Sequence, residues 1–336
     1  MKIEKICDLK RLVEIRDEWK ILVDSSSQNC VFLTNEWFCT WFESFGESRQ
    51  LSVLLFRDQN NRLFGAAPLM ETEKDFQFIA NHEVSDYCDF IVKQGQEELF
   101  YRNFLEFWQK KIKPARRLHL INIREESPTL FLLPQLADKS HFKHTVIETE
   151  VAPSLNLPST YKSYMENLDR KKRHELRRKK RKIESQTGLL HKRVNDARGL
   201  GNCIDLFIEM HGKSSSSKQE FWEIKGVERF FRAITALFST KGWIEINILS
   251  LEENLAAMLL NFVYQDEIHF YNIAFNPNYA SFSPGIYLFN QSIQQAIEDN
   301  LSRADFLRGR ERYKYYFGAK ERKIMDFTLF KKEMDS

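Results

Sequence analysis

Residues 268–309 constrain this chain most, because strand, turn, helix and strand patterns follow one another within that one span. The span opens with the strand-like run Ile268-His269-Phe270-Tyr271-Asn272-Ile273-Ala274-Phe275 and passes through a turn-rich loop, Asn276-Pro277-Asn278-Tyr279. A helix starts at Ser283-Pro284-Gly285, and the chain returns as a strand over Asp305-Phe306-Leu307-Arg308-Gly309. Ser283 suits an N-cap, Pro284 suits the first helical position, and Gly285 withholds a Cβ where a ligand would approach the backbone. The N–H groups of a first helical turn, with the positive end of the helix dipole, favour phosphate at such a place. Beyond it, Ile286, Phe289, Ile293 and Ile297 recur at three- and four-residue steps over a polar face of Asn290, Gln291, Gln294 and Glu298.

At 336 residues the chain is long enough for two domains of ordinary size. Its 43% apolar content and 28 phenylalanines exclude a disordered chain. The five cysteines, Cys7, Cys30, Cys39, Cys88 and Cys203, are odd in number and form no CxxC pair, which argues against a disulfide framework or a zinc site. No Gly-x-Ser-x-Gly elbow, Walker motif or dinucleotide fingerprint occurs. The first residues lack the apolar core of a signal peptide, and no apolar run reaches membrane-spanning length. The expected location is cytoplasmic, with a peripheral position at the inner membrane face as the alternative.

Residues 9–23 read as an amphipathic helix carrying Leu12, Ile15, Trp19 and Leu22, and Thr34 as the N-cap of a second helix carrying Trp37, Phe38, Trp41 and Phe42. Two strand-like runs, residues 51–56 and 63–70, flank the turn Asp58-Gln59-Asn60-Asn61. The same grammar returns at Ile244, Ile246 and Ile248, followed by Glu252-Glu253-Asn254 and Leu255-Ala256-Ala257-Met258-Leu259. That last run echoes Gly65-Ala66-Ala67-Pro68-Leu69 at an offset of 190 residues.

Between the two halves, residues 161–185 predict a bridging helix that ends at Thr187-Gly188, with Met165, Leu168, Leu176 and Ile183 as a narrow apolar stripe. Ten of the thirteen residues 170–182 are Lys or Arg. Like charges at i and i+4 repel, so the run is either a solvated face or a seat for an anionic partner. RNA, anionic lipid, a phosphorylated carrier and a phosphate-bearing cofactor all fit that description at Arg170, Lys182 and the cations between them.

In its motifs the chain resembles the CelD/BcsL-type acetyltransferases of the GNAT superfamily, relatives of the FemABX peptidyltransferases. The resemblance rests on Ala274-Phe275-Asn276-Pro277-Asn278-Tyr279, Ser283-Pro284-Gly285, Asp305 to Gly309 and Tyr313-Lys314 in that order. Phe38-Cys39-Thr40-Trp41-Phe42, the Pro68-Leu69 pair, Ser85-Asp86-Tyr87-Cys88-Asp89 and the middle arginine run support it. The chain departs from the pattern at His211-Gly212-Lys213, where four serines follow, so His211 is read as a structural histidine.

The resemblance implies a mixed α/β (α+β) chain of two tandem GNAT-like domains, each a twisted mixed sheet flanked by helices. The expected boundaries are 1–157, a basic linking helix at 158–190, and 191–336 with the cofactor site. The implied activity is transfer from acetyl-CoA, or another acyl-CoA, to a small-molecule or glycan acceptor, with no metal. Tyr271, Ile273, Phe275, Ser283, Gly285, Ile286, Arg308 and Lys314 are expected to hold the cofactor. Asp305 is the expected base, since a carboxylate on a buried strand is desolvated, and Tyr313 the expected donor to the leaving thiolate. Asp86, Tyr87 and Asp89 are expected at the acceptor. A charged tRNA as donor, or a module that only binds polyanions, are the alternatives.

Overall fold

The structure, a computed structural model, describes residues 1–73, 75–112, 116–140 and 142–331. The chain divides into two compact units, Met1–Glu150 with Lys323–Ser336, and Val151–Arg322.

The first unit begins with β1 (Lys2–Ile6), α1 (Leu9–Glu14), α2 (Arg16–Asp24) and α3 (Asn35–Phe45). The expected helix over 9–23 is thus two helices. Ile15, at φ −88° and ψ 11°, interrupts it while its side chain stays buried with Leu12, Trp19 and Leu22. Thr34 caps α3 by accepting from Trp37 N at 3.2 Å, and Trp37, Phe38 and Trp41 turn inward. The strands β2 (Gln50–Leu51), β3 (Val53–Arg57), β4 (Leu63–Ala67), β5 (Leu69–Glu71), β6 (Asp75–Phe78) and β7 (Ile91–Val92) follow. β3 and β4 form the expected hairpin. Asp58 accepts from Asn60 N at 2.8 Å and from Arg62 N at 2.9 Å, and Asn61 takes a positive φ. Each strand-like run is split, however. Pro68, which has no N–H to give a ladder, separates β4 from β5, and Ser52 separates β2 from β3.

The unit is completed by α4 (Glu97–Lys111), β8 (Arg117–Arg124), α5 (Pro128–Asp138) and β9 (Phe142–Val151), and by the strand β16 (Lys323–Lys331) from the chain's far end. Its sheets run β1-β3-β4-β7 and β2-β5-β6-β8-β16-β9. Rings of Phe56, Phe90, Phe100, Phe104 and Trp108 meet mostly edge-to-face or tilted and fill the core.

The second unit holds β10 (Ser154–Asn156), α6 (Tyr161–Asn167), α7 (Arg170–Glu184), β11 (Leu190–Val194), α8 (Ala197–Lys213), α9 (Ser216–Glu223) and α10 (Val227–Ser239). It continues with β12 (Ile244–Leu251), β13 (Asn254–Tyr264), β14 (Glu267–Phe275), α11 (Pro284–Glu298) and β15 (Arg303–Asp305). The strands make one sheet in the order β10-β15-β14-β13-β12-β11. Glu252 and Glu253, both at positive φ, turn β12 into β13. Ala66-Ala67 and Ala256-Ala257 therefore both lie on the second strand of a hairpin, but β13 runs on for eleven residues where β4 stops at Pro68.

Two expectations change here. The bridging helix is broken at Leu168, and Asp169 starts α7 by accepting from Lys172 N at 2.8 Å. α7 packs against α11 within the second unit, so it is part of that unit's fold. α11 is also not amphipathic in use. Asn290 is 4% exposed and accepts from Tyr161 Oη at 2.9 Å, while Tyr287, Leu288 and Ala296 are buried beside the expected apolar row. The helix is covered by the sheet on one side and by α6 and α7 on the other. Among the described residues no helix is long and apolar enough to cross a membrane.

Candidate functional site

The site grows from one topological event. β14 and β15 pair in parallel only over Glu267↔Arg303, Ile268↔Ala304 and His269↔Asp305. After that β15 stays with its other neighbour: Asp305 pairs with Ser154, Phe306 N donates to Pro153 O, and Gly309 N donates to Val151 O at 2.9 Å. β14 continues alone to Phe275 along β13, with Tyr271 as the extra residue of a bulge opposite Leu260 and Asn261. Asn276 N donates to Ala256 O on the β13 side, which leaves the backbone groups of Ile273 and Phe275 on the opposite edge. Side chains meet them there. Ser214 Oγ donates to Phe275 O at 3.0 Å and accepts from Phe275 N at 3.2 Å, and Lys218 Nζ donates to Ile273 O.

The start of α11 adjoins this edge. A Cβ placed on Gly285 would lie 3.5 Å from Ile273 Cγ1, so the helix passes over the Ile273 side chain at ordinary contact distance. Ser283 occupies the N-cap position but does not cap. Its backbone is left-handed at φ 55°, no side chain caps the helix, and its hydroxyl accepts instead from Lys179 Nζ of α7 at 2.9 Å. Lys182 Nζ donates to Ser281 O at 2.7 Å and sits over the Phe282 ring. An uncapped fifteen-residue helix start flanked by two lysines is positive from both the dipole and the ammonium groups. Ile286, next in the helix, is half-buried against the unit's core. Tyr271 turns its ring into the cluster of Phe231 and Phe262, at 5.6 and 4.5 Å between centroids.

The return strand is built differently from the expectation. Asp305 is fully buried, and both carboxylate oxygens are committed: Oδ1 accepts from Leu307 N at 2.8 Å, and Oδ2 accepts from Arg322 at 2.5 Å. The first of these bonds holds Leu307 at φ 58°, a conformation a branched side chain rarely takes. A base needs a carboxylate with an accessible lone pair, so Asp305 is a turn-forming and ion-paired residue here. Glu267, His269 and Asp305 offer donor atoms within 4.8 Å of one another, but Arg303 pairs with Glu267 at 3.4 Å and Arg322 with Asp305, so cations already answer the cluster's charge.

Lys314, 2% exposed, is no phosphate clamp either. Its Nζ donates to the carbonyls of Leu307 (3.1 Å), Arg308 (2.7 Å) and Gly309 (3.2 Å) and pairs with Glu311 at 3.0 Å, which ties the loop after β15 into one shape. The Glu311 carboxylate in turn lies where a Cβ on Gly309 would be, and Gly309 has φ 120°; only glycine fits. Tyr313 stacks on Phe289 at 5.1 Å, and burial pushes its phenol well above the usual range. It keeps its proton at any ordinary pH. Arg308 is partly exposed.

His211 and Lys218 share no motif in the sequence, yet they adjoin at the same edge. His211 is buried. Trp222 Nε1 donates to its Nδ1 at 3.1 Å, so its own proton sits on Nε2, and burial with the nearby Lys218 charge pushes its pKa down to about 3. Lys218 is half-buried beside the Phe275 ring, 5.9 Å from its centroid, and desolvation lowers its amine to about 8 against the opposing pull of Glu311. No spacing signal links position 218 to the strand at 273, so sequence patterns offered nothing to find it by.

In the first unit, Tyr87 and Asp89 are buried, at 2% and 4% exposure. Asp89 accepts from Ser127 Oγ at 2.5 Å, from Thr129 Oγ1 and from Phe90 N at 2.9 Å, and Tyr87 lies under the Arg124 guanidinium. Asp89 holds the start of α5, and both residues are buried, whereas Asp86 is half-buried.

Residues 170–315 match the Acetyltransf_6 family, an acetyltransferase (GNAT) domain. Over those residues the chain is similar to a GNAT acetyltransferase domain. That domain includes the diverging strands, the start of α11 and Lys218, and the chain is an acyltransferase of mixed α/β fold. No curated protein matches the chain. Among solved structures it is similar in fold to FemX, at 12% identity and a TM-score of 0.66 over 98% of this chain and 97% of that one. It is similar too to a conserved protein of unknown function from Bacteroides thetaiotaomicron VPI-5482 (12% identity, TM-score 0.63, 98% and 100% covered). L-PGS from Bacillus licheniformis shares the fold at 10% identity, with a TM-score of 0.56 over 94% and 91%.

Proposed function

We propose that the GNAT domain takes an acyl-CoA, acetyl-CoA in the simplest case, and passes its acyl group directly to the amine or hydroxyl of a sugar, amino sugar or other small acceptor, as a CelD/BcsL-type enzyme. One observation carries this reading: beyond His269 the edge of β14 has no strand partner among the described residues, and it runs into the uncapped start of α11. The amides of a pantetheine arm suit such a strand edge, where Ser214 and Lys218 now hold the backbone groups of Phe275 and Ile273 and would yield or share them, and a pyrophosphate suits the N–H groups after Pro284 beside Lys179 and Lys182. Gly285 and Ile286 form the floor of that cradle, and Ser283 positions Lys179. When bound, the thioester supplies an activated acyl carbon and a thiolate leaving group. Tyr313, a half-buried phenol that holds its proton, suits donation better than acceptance.

A second reading, with a charged tRNA or another polyanion as partner, is favoured by the other face of α7. An open groove of about 1310 Å³ runs along it, lined by Arg170, Lys171, Arg173, Arg177, Lys180 and Arg181, with Tyr316 as a wall. α7 answers part of its charge itself, through Glu175 with Arg178 and Glu184 with Lys180. Among the described residues no carboxylate lies within ion-pair distance of Arg170, Lys171, Arg177 or Arg181. An anionic chain lying there would relieve their mutual repulsion.

Thiol release from acetyl-CoA, followed over a panel of amino sugars, polyamines and sugar alcohols, tests the reading. Acceptor-dependent release with acylated product by mass spectrometry is the expected result. Acyl transfer from a charged tRNA, with acetyl-CoA inert, would replace the first reading by the second.

A further inference from the structure

Lys218 belongs to α9, and its Nζ reaches the carbonyl of Ile273 on the edge of β14 that β15 has left. Its surroundings are the Phe275 ring, the neutral imidazole of His211 from α8, and Glu311 from the loop after β15, while no carboxylate lies within ion-pair distance among the described residues. A lysine so placed has lost much of its hydration without gaining a direct counter-charge, which favours the neutral amine. Nδ1 of His211 is occupied by Trp222, so the imidazole is held in place and does not titrate in the physiological range. The other candidate proton acceptor, Asp305, is sealed by Arg322 and Leu307.

We propose that Lys218 is a catalytic residue: its neutral amine takes the proton from the acceptor's amine or hydroxyl as that group attacks the thioester. The inference rests on the acyl-CoA reading above. In the step, the acceptor nitrogen or oxygen forms a bond to the acyl carbon and the carbon–sulfur bond breaks, with its electron pair leaving on sulfur. The acceptor's proton moves to Lys218 Nζ, which becomes an ammonium and returns the proton to the thiolate or to water. Acyl donor and protonated acceptor thus become acylated acceptor and free thiol, with no other reactant. An amine titrating near 8 is partly neutral at pH 7, and the balance of neutral fraction and basicity is close to optimal for a base. Where the acceptor is itself a cation, its deprotonation adds a second proton that leaves to solvent.

Competitive labelling with acetic anhydride, read by peptide mass spectrometry, tests this without an identified acceptor. Lys218 is expected to label with a midpoint near pH 8 and to be shielded at least tenfold by saturating CoA. Exposed Lys213, paired with Glu209, is the control that CoA leaves unchanged. Lys218→Arg keeps the charge and the bond to Ile273 but offers no base, so it is expected to lose acetyl-CoA turnover at least a hundredfold while CoA affinity stays within about threefold. CoA that binds without shielding Lys218, or a Lys218→Arg protein with unchanged turnover and pH profile, overturns the inference and leaves the acyl-CoA reading standing. CoA that does not bind at all removes that reading, and the inference with it.

Discussion

The hydroxyl of Ser283 accepts from Lys179 Nζ at 2.9 Å, joining the basic helix to the start of α11. One face of α7 thereby belongs to the proposed phosphate cradle and the other to an open cationic groove, and the two can be separated by mutation.

Lys179→Met removes an ammonium from a helix start that is already positive. Affinity for CoA is expected to fall about fivefold, roughly 1 kcal/mol for the missing charge-assisted hydrogen bond. Because two positive charges no longer adjoin, the unliganded protein is expected to lose little stability. Calorimetric titration together with thermal melting measures both.

On the opposite face, replacing Arg170, Arg177 and Arg181 with glutamine is expected to leave CoA affinity unchanged. If RNA occupies the groove, fluorescence-polarisation binding of a labelled oligonucleotide weakens in the variant, and its salt slope flattens by about 0.7 for each single-strand phosphate that the variant no longer neutralises. Equal slopes for variant and wild type would assign the groove no polyanion.

Asp305→Asn distinguishes an ion-paired residue from a base. Removing one charge leaves Arg322 beside a neutral amide and weakens the hold on Leu307, at a cost of about 3 kcal/mol. Urea unfolding should register that loss. A variant as stable as wild type but poor in turnover would restore Asp305 as the base.

The buried carboxyl of Asp89 gives a pH signature. Burial raises its pKa from 3.8 to about 6 in the folded state, against the opposing hydrogen bonds from Ser127 and Thr129. The neutral carboxyl is favoured on folding, so this group's contribution is greatest below the unfolded value and is lost as pH rises to about 6. Asp89→Asn does not titrate. The stability difference, variant minus wild type, is therefore expected to rise by about 2.4 kcal/mol between pH 4 and pH 7, measured by urea unfolding at each pH.

Local signals carried much of the fold. Thr34 caps its helix, Asp58 and Asn61 make their turn, and the strand–turn–helix–strand order of 268–309 stands, although the return strand is Arg303–Asp305 and not 305–309; caps, turns and periodicity act over a few residues. Three kinds of information lay outside such patterns. The break at Leu168 depended on Asp169 finding Lys172 N, and the burial of Asn290 on Tyr161 arriving from another helix. Asp305, Lys314 and Tyr313 had the right chemistry for a site, but their partners are backbone carbonyls, Arg322 and Phe289, which only the tertiary fold brings to them. Lys218 was missed for the converse reason: an ordinary surface-type residue on α9 becomes notable only where it meets the unpaired edge of β14.

The central claim is that acyl-CoA lies along that edge with its phosphates at Gly285, and titration calorimetry of CoA into wild type, Gly285→Ala and Gly285→Val addresses it directly. A Cβ at Gly285 meets Ile273 only at ordinary contact distance, so alanine fits, whereas the γ-carbons of valine fill the space between helix start and strand. Wild type is expected to bind one CoA and to gain roughly 2.7 kcal/mol of unfolding free energy at a hundred times its Kd. Alanine is expected to stay close to this, and valine to bind at least tenfold more weakly, about 1.4 kcal/mol. Absence of binding by CoA and every acyl-CoA to wild type, or a valine variant that binds as tightly as wild type, would contradict the account.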